Sequence, residues 1–283
     1  MSRAVVVEGL EKAYGEVRAV RGVSFTIETG EVFGLLGPNG AGKTTTVEIL
    51  EGYRTRDAGR IEVLGVDPAT AGSAWRERIG VVLQSGSLYP QLTVVEILRL
   101  FGGYYERPRD VGEVIGIVGL EEKKDQRVHT LSGGQKRRLD LAIALVGDPE
   151  LVFLDEPTTG FDPEARRRAW DTIRSLRELG KTTLLTTHYL DEAERLCDRV
   201  AVLRDGKIAA LGRPAELTGA LPPTEIRYRL DGQEVVVRTE EPTRVLNELT
   251  AEALRSGVEL EALEVSRPSL EDVYLSLTQE SPR

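Results

Sequence analysis

The chain contains a single cysteine, Cys197, and two histidines, His129 and His188, among 283 residues. One thiol cannot form an intrachain disulfide, and this small set of soft and imidazole donors argues against a zinc centre built from protein alone. Long apolar runs are also missing. The longest stretches, such as residues 141–147, fall far short of the ~20 residues that span a bilayer. The first eight residues hold no signal-type apolar core before Glu8. Positive charge is not in excess, because 37 Lys and Arg stand against 46 Asp and Glu, a net charge of −9. A protein that wraps nucleic acid presents a basic face, so no nucleic-acid partner is expected. What remains is a globular balance, 40% hydrophobic and 29% charged, in a chain long enough for one large domain and one small one. Its expected location is the cytoplasm, unless a partner carries it to a membrane.

The hydrophobic pattern predicts an α/β fold. Residues 4–10 and 23–28 read as β-branched strands, and 32–36 as a compact apolar strand followed by a helix over 44–51. Apolar runs recur at 79–83, 151–154, 183–187 and 200–203, with helical patterns between several of them. Continuous apolar strands alternating with helices indicate a mainly parallel sheet covered on both faces. Residues 85–147 are mainly helical, with candidates at 93–101, 111–118 and 136–146. Asp205 and Gly206 mark a hairpin between 200–203 and 207–211. Near Gly219, before Pro222 and Pro223, the composition changes. The segment beyond has seven arginines, no lysine and thirteen acids, so it carries −6 of the net charge. It reads as a hairpin (225–230 and 234–238) around Asp231 and Gly232, a helix at 242–255, a strand at 258–265 and a final helix at 270–277. The expected domains are therefore 1–218 and a small α+β domain at 219–283.

Three segments carry chemistry. Gly37, Pro38, Asn39, Gly40, Ala41, Gly42, Lys43, Thr44 and Thr45 form a phosphate loop between a predicted strand and a predicted helix. Glycines let successive backbone N–H groups turn onto phosphate oxygens, and the helix N-terminus adds partial positive charge. Lys43 reaches the outer phosphates and Thr44 is a candidate ligand for Mg²⁺. The strand 151–154 ends in Asp155 and Glu156. A buried strand delivers a carboxylate rigidly to the sheet edge, so Asp155 is placed to hold the metal and Glu156 to polarise an attacking water. Ser132, Gly133, Gly134 and Gln135 open a helix and offer a second anion site, although a serine there also suits an ordinary helix cap. Two such loops in one chain mean either two nucleotides per chain or one nucleotide shared between two chains.

Together these residues resemble the ATP-binding cassette ATPases, the motor subunits of ABC transporters, over roughly residues 4–215. The most specific part of the resemblance is the signature at 131–135. The resemblance implies a phosphate-loop cassette with an N-terminal antiparallel β subdomain and a helical signature subdomain. It also implies a head-to-tail dimer that shares each ATP between the phosphate loop of one copy and the signature of the other. On the same pattern Tyr14 stacks on adenine, and Gln84 contacts Mg²⁺ and water. Asp162, after Gly160 and Phe161, lies in the loop that crosses the interface; the family usually has leucine where Phe161 stands. His188 helps position Glu156 and the γ-phosphate. The basic run Lys136, Arg137 and Arg138 reads as a solvated helix face. His129 reads as a loop residue and Cys197 as a small buried one. The tail from Pro268 to Thr278 resembles the end of ATPase subunits of the daunorubicin-resistance type. The expected protein is an ATP-hydrolysing homodimer, peripheral to the cytoplasmic face of a membrane, that powers a separate permease exporting drug-like or amphiphilic cargo. Two alternatives stand beside it: a nontransport cassette acting on a ribosome, DNA or a regulatory partner, and a nucleotide-gated protein without useful turnover.

Overall fold

Alternation of apolar strands with amphipathic helices produces a layered cassette followed by a second, smaller unit. The computed structural model describes residues 2–82, 88–219, 224–230, 232–266 and 269–279, with backbone only for 219 and 275–279. Gln84, the Pro222 and Pro223 break, Asp231 and Pro268 lie outside the described residues. The chain divides into compact units at Met1–Gly212 and Arg213–Arg283, a few residues before the change in composition at Gly219, because a short helix after Gly212 belongs to the second unit.

The first unit opens with β1 (Arg3–Tyr14) and β2 (Val17–Glu28), which pair antiparallel. Both are longer than the apolar runs predict. Register shifts along the pair break its alternation, with Gly9 and Gly22 in left-handed conformation. Next come β3 (Val32–Leu36), α1 (Lys43–Leu50) and β4 (Ala58–Val63). β4 pairs with β1 to complete an antiparallel sheet ordered β2-β1-β4. The sequence gives little sign of β4, since its first half is exposed Ala-Gly-Arg. The short α2 (Ser73–Arg76) leads to β5 (Ile79–Val82). The helical segment follows with α3 (Val94–Gly102), α4 (Val111–Ile117) and α5 (Gly133–Leu145). Then come β6 (Leu151–Asp155), α6 (Pro163–Glu178), β7 (Thr182–Thr187), α7 (Leu190–Leu196), β8 (Arg199–Arg204) and β9 (Lys207–Gly212).

The central sheet runs β5-β6-β7-β3-β8-β9 and is parallel except for the final hairpin pair. β3 and β7 are buried at every position, as expected of strands covered on both faces. One core joins this sheet to the antiparallel one: Val5, Phe25 and Ile61 meet Phe33, Leu35 and Phe153, with Val47 and Leu50 of α1 among them. Phe25 and Phe33 stack with centroids 5.1 Å apart.

In the second unit, α8 (Pro214–Gly219) precedes β10 (Thr224–Leu230), β11 (Gln233–Thr239), α9 (Pro242–Ser256), β12 (Glu261–Ser266) and α10 (Leu270–Gln279). Its antiparallel sheet is ordered β11-β10-β12. Among its described residues, Ile226, Tyr228, Leu270 and Val273 are the buried apolar ones. β12 starts later than the apolar pattern predicts, because 258–260 continue the loop that leaves α9 through the left-handed Gly257.

Gly34, in the middle of β3, lies against Cys197, the residue that follows α7, and Val200 of β8. A β-carbon there would lie 2.8 Å from Cys197 Sγ and 3.0 Å from Val200 Cγ1. Gly34→Ala therefore overpacks the core, and we expect a loss of about 1–3 kcal/mol in chemical denaturation. Adding Cys197→Ala should recover part of that loss. A double-mutant cycle with no coupling between the two positions would contradict this packing.

Candidate functional site

The phosphate loop joins the C-terminal end of β3 to the start of α1. Gly42, the residue preceding α1, has φ of 101° and makes no side-chain cap. A β-carbon there would fall 2.4 Å from the Ala19 carbonyl oxygen, so the loop requires glycine. The first turns of α3, α5 and α6 are closed by Thr93, Ser132 and Asp162. The first N–H groups of α1 have no such side chain, which suits them to phosphate oxygens. Lys43 is buried, and its ammonium donates to the carbonyl oxygens of Gly37 at 2.7 Å and Pro38 at 3.2 Å. Burial pushes its pKa down, while Glu156 and Asp155 pull it back up. Two carboxylates thus favour the charged form that phosphate recognition needs.

Asp155 ends β6 and Glu156 begins the turn beyond it. Thr186, on β7, organises both: its hydroxyl donates to Asp155 Oδ1 at 2.6 Å and accepts the Glu156 N–H at 3.0 Å. Glu156 adopts φ of 45°, rare for a residue with a side chain. Its Oε2 accepts from the Thr159 hydroxyl at 3.1 Å, and its Oε1 lies 3.4 Å from His188 Nδ1. The structure therefore brings Glu156 and His188 within reach of each other from different strand ends.

Two clefts meet at Glu156. One, of about 720 Å³, is lined by the phosphate loop residues Pro38, Asn39, Gly40, Gly42, Lys43, Thr44 and Thr45, together with Tyr14, Asp155 and Glu156. Tyr14 ends β1 and is 42% exposed, with Lys12 and Arg54 lying over its ring, each under 6 Å from the centroid. The other cleft, of about 770 Å³, is lined by Ser132, Gly133, Gly134, Gln135, Asp162 and again Glu156. The signature and Asp162 are thus separated from the phosphate loop of their own chain. Ser132 and Gln135 form a reciprocal cap: Ser132 Oγ accepts the Gln135 N–H at 3.3 Å, and Gln135 Oε1 accepts the Ser132 N–H at 2.9 Å. The serine hydroxyl accepts in this cap and retains its own proton to donate. Asp162 caps α6 by accepting the N–H groups of Glu164 and Ala165.

Thr44 and Asp155 supply hard oxygen donors to the same cleft, a set that fits Mg²⁺ when it is completed by phosphate oxygens. No cluster of three or more His, Cys, Asp or Glu that could hold a metal occurs among the described residues.

Three features escaped the sequence reading. Thr186 is one of several threonines in β7, and only pairing with β6 selects it. Glu192 is fully buried, and its Oε1 accepts from the Thr158 hydroxyl at 2.8 Å and the Trp170 indole at 3.0 Å; this ties the loop after Glu156 to α6 and α7. The third is a correction. The run Lys136, Arg137, Arg138 is not a solvated face. Arg138 donates to the carbonyl oxygens of Val118 and Gly119. Arg137 reaches the turn after β6, and burial lowers its pKa. The helix also starts at Gly133 and not near 136, because the capping pair supplies what glycine lacks in helix propensity.

Both the sequence and the fold have counterparts among known proteins. The sequence matches the family described as ABC transporter over residues 20–159. Residues 213–269 match the family of C-terminal domains of ABC transporter domain-containing-like proteins. The Nod factor export ATP-binding protein I of Rhizobium sp. (strain N33) is 43% identical over 300 residues, covering 97% of each chain. The protein of the same name from Ralstonia nicotianae is 40% identical, covering 96% of this chain and 92% of that one. A solved ATP-binding cassette of an ABC transporter in its ADP conformation superposes with a TM-score of 0.67 at 26% identity, covering 76% of this chain and 93% of that one. A dimeric cassette in a post-hydrolysis state, bound to ADP and Pi, gives 0.65 at 26%, covering 74% and 98%. The chain belongs to the ATP-binding proteins of ABC transporters. It is an ATPase of that family, which hydrolyses ATP to power transport.

Glu51, just after α1, is the acid of this region with the most displaced titration. Burial, then Asp155 and Glu48, push its carboxyl up to about 8. The folded chain therefore holds an extra proton between the ordinary carboxylate range and about pH 8, and stability falls as pH rises through that window. We expect Glu51→Gln to flatten the pH dependence of the melting temperature of the nucleotide-free protein. It should raise that temperature at pH 8.5 and leave it unchanged near pH 4.5. Parallel pH profiles for the variant and parent would contradict this.

Proposed function

We propose that the chain is the ATP-hydrolysing subunit of an exporter and works as a head-to-tail homodimer. The observation that carries this reading is the meeting of two clefts at Glu156, the phosphate loop lining one and the signature of the same chain lining the other. One ATP is then held by Lys43 and the α1 N-terminus of one copy and by Ser132, Gly134 and Asp162 of the other. The dimeric form of a similar solved cassette and the export named in the relatives support it. No helix among the described residues is long and apolar enough to cross a membrane, in keeping with a permease on a separate chain and with peripheral attachment to the cytoplasmic face through it. The resemblance of the tail to drug-exporter subunits supports a drug-like or amphiphilic cargo.

The residues divide the chemistry. Tyr14 stacks on the base. Lys43 and backbone N–H groups hold the phosphates, so the charge that develops in the transition state meets fixed donors. Thr44, Asp155 and Gln84 would hold Mg²⁺, which supplies charge neutralisation at the phosphates when bound. Glu156 orients the attacking water and accepts its proton, while His188 steadies Glu156. Thr186 fixes the carboxylate of Asp155 and the backbone of Glu156 in one geometry.

Glu156→Gln keeps size and hydrogen bonding but removes basicity. ATP binding should persist, hydrolysis should fall by about 10²–10⁴-fold, and an ATP-bound dimer should accumulate in light scattering. Hydrolysis at the parent rate would remove Glu156 from this role.

The second unit, by this reading, is an accessory domain that modulates assembly or coupling. A chain ending at Gly212 should fold and bind ATP with affinity within about twofold of the parent, since its nucleotide cleft is built from residues before that point. Loss of the folded state on truncation would assign residues 213–283 to the main core.

A further inference from the structure

The side chain of Arg137 fastens the signature helix to the turn that carries Glu156. Arg137 lies in the second turn of α5. Its Nη2 donates to the Asp155 carbonyl oxygen at 2.8 Å and lies 3.5 Å from that of Glu156, and its Nε donates to the Pro157 carbonyl oxygen at 3.3 Å. A planar guanidinium thus gathers the carbonyls of three successive residues. The pairing of β6 with β7 ends at Asp155, the Glu156 carbonyl oxygen also accepts the Thr159 N–H at 3.2 Å, and Glu156 holds a left-handed conformation. That conformation is disfavoured for a residue with a side chain and persists only where its surroundings enforce it. Arg137 also lies five residues after Ser132, about 7 Å along a rigid helix at 1.5 Å per residue. A displacement of the signature end of α5 therefore moves the guanidinium and the turn it holds.

We propose that Arg137 is a positioning residue that sets the Glu156 carboxylate for hydrolysis and makes that setting depend on the signature of the same chain. The second half rests on the head-to-tail reading above. In that dimer, Ser132 faces the nucleotide held by the partner, while Glu156 serves the nucleotide held by its own chain. Arg137 then carries the occupancy of one site to the catalytic carboxylate of the other. The coupling is reciprocal, because each copy contributes one such link. Its physical basis is a continuous path of helix, guanidinium and backbone carbonyls.

The test compares Arg137→Gln, Arg137→Lys and the parent in the full-length chain. The readouts are nucleotide affinity by fluorescent-ATP titration, kcat per bound nucleotide, and the Hill coefficient for ATP. For Arg137→Gln we expect affinity within about twofold of the parent, kcat per bound nucleotide lowered at least about 10-fold, and a Hill coefficient near one. Arg137→Lys keeps the charge but has a single donor group in place of the fork, so its kcat should lie between the two. A purely structural role would lower the melting temperature while leaving kcat per bound nucleotide and cooperativity at parent values, and that result overturns the proposal. If Arg137→Gln does not fold, Arg137→Lys decides: parent values of kcat and Hill coefficient overturn the requirement for the fork. A parent chain that hydrolyses ATP but neither dimerises with ATP nor shows cooperativity overturns the head-to-tail reading and the relay together. In that case the kcat comparison still decides whether Arg137 positions Glu156.

Discussion

The register between β6 and β7 is the constraint on which the nucleotide site depends. Asp155 pairs with Thr186, and Thr186 pairs in turn with Leu35 of β3. One row across three strands therefore fixes the Asp155 carboxylate, the hydroxyl that orients it and the base of the phosphate loop. A slip of one residue would invert the faces of β6 and carry Asp155 away from Thr186. Complete burial of β7 and near-complete burial of β6 oppose such a slip. The hydrophobic core thus sets the strand ends from which Asp155, Glu156 and the phosphate loop depart.

Around that row the site is built from turns that resist ordinary backbone geometry. Gly42 and Glu156 both adopt positive φ, one with no side chain and the other with a long charged one. The first conformation is free for glycine. The second is held from three directions: by Thr186 at the backbone N–H, by Arg137 at the carbonyls and by Thr159 at the side chain. Glu192 extends this support by joining the following loop to two helices. The carboxylate is therefore held in one orientation, the state in which the general base proposed above would gain most of its effect.

Much of this was legible in the sequence for a physical reason. The phosphate loop, the acidic strand end and the signature are local, and each works through contiguous backbone that its own residue types dictate. Parallel strands buried on both faces also announce themselves as unbroken apolar runs. What escaped depended on distant partners. β4 is a polar edge strand defined by its pairing with β1. Arg137 looks like any cation in a basic run until the carbonyls it reaches are known. Thr186 is chosen from its neighbours by strand pairing alone. β1 and β2 exceed their apolar patterns because bulges shift the alternation partway along.

The packing of Cys197 against Gly34 has a practical consequence for studying motion. The thiol is buried, and desolvation together with nearby acids raises its pKa well above that of a free cysteine. Thiolate is the reactive species, so this position is shielded from alkylating reagents both sterically and chemically. As the chain has no other cysteine, a single cysteine introduced on the surface becomes its one readily labelled group. Spectroscopic probes can then be placed at will on the wild-type background, without first removing a native thiol that the core uses as packing.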